Sequence, residues 1–259
     1  MAAQSEDPGV GDCAIAACQE ASGTLFIFDW DDTILPTTAL SLQGFSLDGP
    51  EVDVNSDFGL ALAAHAQAWV ETLGQARHYG KVMVVTAAEQ GWVEATCSKF
   101  LPGLASQVIG ADAWVSVVSA RSVFEPQGYT DPLEWKQMAF AAAVEQYFPE
   151  SCIHRNVVSV GDASYERRAI LSLANWVPHC TPKSLKFLER PSLPTLSQEC
   201  LFVRMCLEHL STHPESLDLC VRDQTRDPSE QSTPELGEAP AEPRPHFDSG
   251  EAIAQTVVA

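Results

Sequence analysis

The sequence predicts an α/β protein, a three-layer sandwich whose mainly parallel sheet carries helices on both faces. Three observations lead there. Runs of consecutive apolar residues, not alternating ones, recur at 24–28, 81–86 and 156–162, as expected of strands covered on both sides. Segments with helical spacing separate them, which is the pattern of βα units. The runs also end in polar residues, Asp29, Thr86 and Asp162, and open α/β sheets bind ligands at the carboxyl ends of their strands.

Taken in order, 24–28 is the first strand. Residues 35–57 carry Pro, Gly, Ser and Asn among scattered hydrophobes and are expected to form a long loop, with a hairpin near Gln43-Gly44. Leu60, Leu62, Ala66, Trp69 and Leu73 recur at helical spacing, so 58–76 is a helix punctuated by Gly80. Strand two, 81–86, is followed by a helix over 89–100 that Pro102-Gly103 stops. Residues 114–119 are a third strand, and 121–131 a loop. Pro132 opens a helix to about 148, at a position where its missing N–H costs nothing. Strand four, 156–162, precedes a helix over 165–174. Residues 184–188 are a fifth strand and 194–213 a terminal helix.

At 259 residues the chain suits one α/β domain. Composition divides it into a flexible leader (1–22), a folded domain (23–215) and an acidic, disordered tail rich in Pro, Glu and Ser (216–259). The formal net charge of −20 argues against non-specific binding to nucleic acid or to an anionic membrane, which need positive charge. No run of about 18 apolar residues predicts a transmembrane helix, and the N-terminus lacks the pattern of a secretory signal. The eight cysteines are irregularly spaced with no CxxC. That predicts reduced thiols in a cytoplasmic setting, not a disulfide framework or a zinc site.

The residues with chemistry form a constellation. Asp29 and Asp31 stand one residue apart just past a buried strand. Carboxylates this close favour a cation between them or a shared proton, and an oxygen-rich site suits Mg²⁺. Asp29 can attack phosphorus to give an aspartyl phosphate, and Asp31 can protonate the leaving group and then activate water. Thr86, with the backbone N–H of Ala87, can hold a phosphoryl oxygen at the end of strand two. Lys136 can neutralise charge on the transferring group. Asp162 and Glu166, one helical turn apart after strand four, can hold the metal. Arg121, past strand three, can contact substrate phosphate. Each feature alone also has a structural reading: an acidic pair caps a turn, a strand-end threonine is common, a helix lysine or arginine pairs at the surface, and Gly-Asp with a later acid begins a helix.

Their order adds meaning. Asp29-Trp30-Asp31-Asp32-Thr33 resembles the D-x-D-x-[TV] motif of the haloacid dehalogenase superfamily, and Gly161-Asp162-Ala163-Ser164-Tyr165-Glu166 resembles its G-D-x-x-x-[DE] motif, with Thr86 and Lys136 between them in family order. The resemblance spans roughly 24–190 and implies a Rossmann-like fold with a minimal cap or none, since no long insertion separates the motifs. It implies a Mg²⁺-dependent phosphatase with Asp29 as nucleophile and Asp31 as general acid/base. It further implies metal ligands drawn from Asp29, the Trp30 carbonyl, Asp31, Asp162 and Glu166, and a phosphorylated substrate, small molecule or protein. A phosphomutase and a non-enzymatic binding relative share the pattern. A receiver domain does not, because strand three ends without an acid and Lys136 precedes Asp162.

Overall fold

A computed structural model of the protein describes residues 23–222. The expected leader and the tail past 222 lie outside the described residues. Six strands form one all-parallel sheet: β1 (Thr24–Phe28), β2 (Gly80–Thr86), β3 (Ser116–Ser119), β4 (Arg155–Gly161), β5 (Cys180–Lys186) and β6 (Leu217–Cys220). Their order is β3-β2-β1-β4-β5-β6. The chain winds outward from β1 to β3, then returns to lay β4 against the other side of β1. This is the Rossmann-like arrangement, and its reversal opens a crevice beyond the carboxyl ends of β1 and β4.

Eight helices complete the layers: α1 (Thr37–Leu42), α2 (Asp57–Tyr79), α3 (Trp92–Phe100), α4 (Ala105–Val108), α5 (Ala120–Phe124), α6 (Pro132–Tyr147), α7 (Ser164–Ser172) and α8 (Leu193–Thr212). Strand periodicity decides which layer each side chain enters. Phe26 and Phe28 point to the core shared with α2, α3 and α8, where Phe28 meets the edge of Trp69 with ring centroids 5.6 Å apart. Leu25 and Ile27 point to the opposite core, against Phe140 and Val144 of α6 and Ile170 of α7. Burying each such side chain contributes roughly 1.5–3 kcal/mol. Helix starts follow local chemistry. Ser56 Oγ accepts the Gly59 N–H at 3.0 Å to begin α2, and the Asp131 carboxylate accepts the Leu133 N–H at 2.7 Å beside Pro132 to begin α6. Gly80 is required where β2 starts, because a Cβ there would sit 1.8 Å from the Thr24 carbonyl oxygen.

Several boundaries differ from the sequence expectation. Residues 35–57 are not all loop and make no hairpin: α1 occupies 37–42. Gly44, at φ 81°, ends it with its N–H on Ser41 O and the Phe45 N–H on Leu40 O, a helix-terminating pair of bonds. The expected loop 121–131 begins with α5 and a 3-10 turn, Glu125–Gln127. The helix after β2 starts at Trp92, because Gly91 at φ 89° lies in the left-handed region. Strand five starts at Cys180, four residues early, despite Pro182. β6 pairs only from Lys183 onward, so Pro182 faces no ladder partner on that side. Residues 217–220, assigned by composition to the tail, are strand β6. Among the described residues no domain is inserted between the motif segments, and no helix is long and apolar enough to cross a membrane.

Candidate active site

Asp29 leaves β1 with its N–H on Val160 O of β4 at 2.9 Å, which aims its carboxylate into the crevice. Lys136, on the second turn of α6, meets it there fully buried. Its ammonium donates to Asp29 Oδ1 at 2.6 Å and to the Val85 carbonyl at 2.5 Å, and it is ion-paired with Glu166 Oε1 at 2.7 Å. Burial pushes the Lys136 pKa down, but the Asp29 and Glu166 carboxylates more than reverse this and hold it above the ordinary lysine value. The lysine is therefore a fixed positive charge.

Glu166 is equally buried, and its Oε2 accepts the Ala163 N–H at 3.3 Å. Burial, then the Asp29 charge, pushes its pKa well up while Lys136 opposes them. The motif glycine has a steric reason to exist. A Cβ on Gly161 would lie 1.9 Å from Glu166 Oε2 and 3.4 Å from Asp29 Cβ, so only glycine lets both acids close on the strand end. Asp162 is held up at about 8 by burial first, then by the charges of Asp29 and Asp32, with Lys186 pulling the other way. Oxygen atoms of Asp29, Asp162 and Glu166 all lie within 4.8 Å of one another. An all-oxygen, partly buried cluster with more negative charge than Lys136 cancels is chemically suited to a hard divalent cation such as Mg²⁺.

Asp31 stands apart from that cluster. Its Oδ1 accepts the Thr37 hydroxyl at 2.6 Å, and the Trp92 indole N–H lies 3.0 Å from Oδ1 and 3.1 Å from Oδ2. Its pKa is raised to about 6, by burial first and by the Asp29 charge, against the lowering effect of Thr37 and Trp92. A carboxyl poised there can give and take a proton near neutrality. Both its oxygens are thus engaged by Thr37 and Trp92, away from the Asp29, Asp162 and Glu166 group.

The Trp30 carbonyl is corrected as a metal ligand. It accepts the N–H groups of Ile34 at 2.9 Å, Leu35 at 2.8 Å and Thr33 at 3.4 Å, so both its lone pairs are engaged inside the turn. The Trp30 ring is buried, with its indole N–H on Thr96 Oγ1 at 2.9 Å, and fastens the loop to α3. Asp32, at φ 49°, is structural: its carboxylate receives the Thr38 N–H at 2.8 Å and the Thr38 hydroxyl at 2.5 Å, so it begins α1. The buried Thr33 hydroxyl has no hydrogen-bond partner among the described residues.

Thr86 ends β2 beside Val85, the carbonyl partner of Lys136, and its Oγ1 accepts the Ala88 N–H at 3.0 Å. Ala87 follows it, half-buried. The loop is anchored by Ser119 Oγ on Ala88 O at 2.6 Å. Arg121 is occupied elsewhere, by Glu125 at 3.0 Å and Glu89 at 3.8 Å, with its guanidinium over the Trp135 ring. That is the surface pairing considered beside its phosphate-binding reading.

Three contributors escaped the sequence reading. The Trp92 indole contacts Asp31 from the first turn of α3. Lys186 ends β5 next to the crevice, and the strand-end rule finds it once β5 is correctly bounded. His65, buried in α2, holds the Ile34 carbonyl at 2.8 Å and Ser197 Oγ at 2.9 Å, so it braces the Asp29 loop from behind. No pattern in the sequence marks it. No protein-family model matches the chain, and no curated protein matches it.

Proposed function

We propose that the protein is a phosphotransferase of the aspartyl-phosphate type, and specifically a Mg²⁺-dependent phosphatase acting on a phosphate monoester in a cytoplasmic compartment. One observation carries the reading. Asp29, locked to Lys136 at 2.6 Å in the switch-point crevice, stands two residues from Asp31, a separately held carboxyl with a pKa of about 6. A nucleophile oriented by a buried lysine beside a separately held acid that can be protonated is the division of labour that phosphate transfer through an aspartate needs.

Asp29, Asp162 and Glu166 fit a Mg²⁺ ion, which supplies charge neutralisation to the phosphoryl oxygens when bound. The chain's own residues do the rest. Lys136 holds the Asp29 carboxylate oriented for attack on phosphorus. Thr86, at the strand end, is placed to receive a phosphoryl oxygen. Asp31 gives its proton to the departing alkoxide, and as a carboxylate then takes one from the water that hydrolyses the aspartyl phosphate. The free thiols among the described cysteines accord with a reducing compartment.

The test is release of phosphate from p-nitrophenyl phosphate with Mg²⁺, comparing wild type with Asp29→Asn. Loss of at least a thousandfold in rate is expected. Wild-type activity that survives the substitution would remove Asp29 from the role.

A further inference from the structure

We infer that Ser119 and Ser122, at the corner between β3 and α5, are positioning residues that fix the loop 86–90 in the shape that receives a phosphoryl oxygen; the inference rests on the phosphatase reading. The hydrogen bonds of that loop carry the assignment. The Ala88 N–H is turned back onto Thr86 Oγ1 at 3.0 Å. The Ala88 carbonyl accepts the Ser119 hydroxyl at 2.6 Å. The Gln90 N–H donates to Ser122 Oγ at 2.9 Å. The two serines are themselves joined, because Ser119 Oγ accepts the Ser122 N–H at 3.0 Å where α5 begins. Ser119 therefore gives its proton to the loop and a lone pair to the helix, while Ser122 gives a lone pair to the loop. Between the two tied residues, Glu89 reaches Arg121 at 3.8 Å.

Two donors of the loop are left for a phosphoryl oxygen: the Thr86 hydroxyl proton and the Ala87 N–H, which give to no other group among the described residues. They stand at the end of β2, next to Val85, whose carbonyl holds Lys136 beside Asp29. Their placing depends on residues 88–90, which are half-buried or exposed and lead into Gly91, where α3 starts without a side-chain cap. The sheet itself brings the corner to the loop, since Thr86 and Ser119 are register partners in β2 and β3. The ties differ in weight. Ser119 is only 6% exposed, so water has little access to replace its bond to Ala88 O. Ser122 is half-buried, and water replaces its bond in part. The Arg121–Glu89 pair is long and solvated and contributes little. Misplacing a binding group by about 1 Å costs up to about a hundredfold in rate, so the serines act on the phosphate through the donors they hold in place.

The test compares the full-length wild type with Ser119→Ala and Ser122→Ala, with p-nitrophenyl phosphate and Mg²⁺ as the assay and inorganic phosphate as the competing ligand. A loop that has lost its tie holds phosphate less well. Ser119→Ala should therefore raise both KM and the inhibition constant of phosphate by about tenfold, and Ser122→Ala by about threefold. A variant that is merely less stable loses active enzyme, which lowers kcat and leaves those two constants where they were. In a Thr86→Ala background the Ser119→Ala effect should shrink to less than about threefold, because a donor that the serine positions is gone. Asp29-dependent turnover in which Ser119→Ala keeps both constants within about twofold of wild type, or changes them by the same factor with and without Thr86, overturns this inference alone. Should Ser119→Ala fail to fold, Ser122→Ala decides in its place, and unchanged constants there overturn the inference. Absence of Asp29-dependent turnover in the wild type overturns the phosphatase reading and this inference with it.

Discussion

Replacing Gly161 by alanine should damage the protein through one contact. The added Cβ would fall 1.9 Å from Glu166 Oε2 and 2.7 Å from its carboxyl carbon. That oxygen must retreat by roughly 1 Å to reach even a tight contact, which drags the other carboxylate oxygen away from Lys136, now 2.7 Å distant. Breaking a buried ion pair costs about 3–5 kcal/mol. Lys136 keeps Asp29 as a partner, so the low end, about 3 kcal/mol, is expected for Gly161→Ala. Glu166→Ala should cost a similar amount by removing the partner outright. The double variant is the decisive one: with the carboxylate gone the new methyl has room, its next neighbour being Asp29 Cβ at 3.4 Å. Its cost should fall short of the sum by about 1–3 kcal/mol. Urea unfolding followed by circular dichroism measures all three. Strict additivity, or a Gly161→Ala variant within about 0.5 kcal/mol of wild type, would refute the steric account of the motif glycine.

Two further predictions concern Asp31 and His65. Trp92→Phe removes the indole N–H from Asp31, and a hydrogen bond to a charged group is worth about 1.5–3 kcal/mol. Turnover of alkyl phosphates, which need leaving-group protonation, should therefore drop about tenfold to a hundredfold, while the initial nitrophenolate burst changes less than about threefold. Equal losses on both would assign Trp92 a general structural role. His65 has its pKa lowered by burial to about 4 from 6.5, against the opposing bond to the Ile34 carbonyl. Between those values the unfolded chain binds more protons than the folded one, so stability is intact above about pH 6.5 and declines as pH falls toward 4, by about 3 kcal/mol in all. The site acids titrate with the opposite sign, so the difference in denaturant midpoint between wild type and His65→Gln isolates the effect. A difference that does not vary from pH 7 to pH 4.5 would contradict the buried neutral imidazole.

The strands that build the site were legible because they are covered on both faces: 24–28 reads as an uninterrupted apolar run ending in acids, and its bounds match β1. The motif residues were legible for a related reason, since the strand-end rule needs only a correctly placed strand. Legibility failed where a local signal was overruled by packing. Pro182 weakens the local strand pattern, yet its position relative to β6 permits the strand. Pro126 and Gly128 concealed the short α5 beside them. The Trp30 carbonyl passed as a ligand because a sequence cannot show that a turn has already used its lone pairs. His65 and Trp92 were hidden by distance: each contacts a residue 31 or 61 positions away, and nothing local announces such a bond.

Strand β6 changes what counts as the end of the folded unit. Composition drew a boundary at 216, one residue before it. Yet Leu217–Cys220 completes the ladder on β5 from Lys183 to Lys186, and Asp218 grips the Arg167 guanidinium through two oxygens at 2.7 and 2.6 Å. Arg167 is the residue next to Glu166. A chain cut at the compositional boundary would leave β5 as a bare edge open to pairing with other chains, and would release the outer face of the helix that carries Glu166. Expression of a folded, monodisperse fragment therefore depends on four residues that resemble the start of a solvated tail.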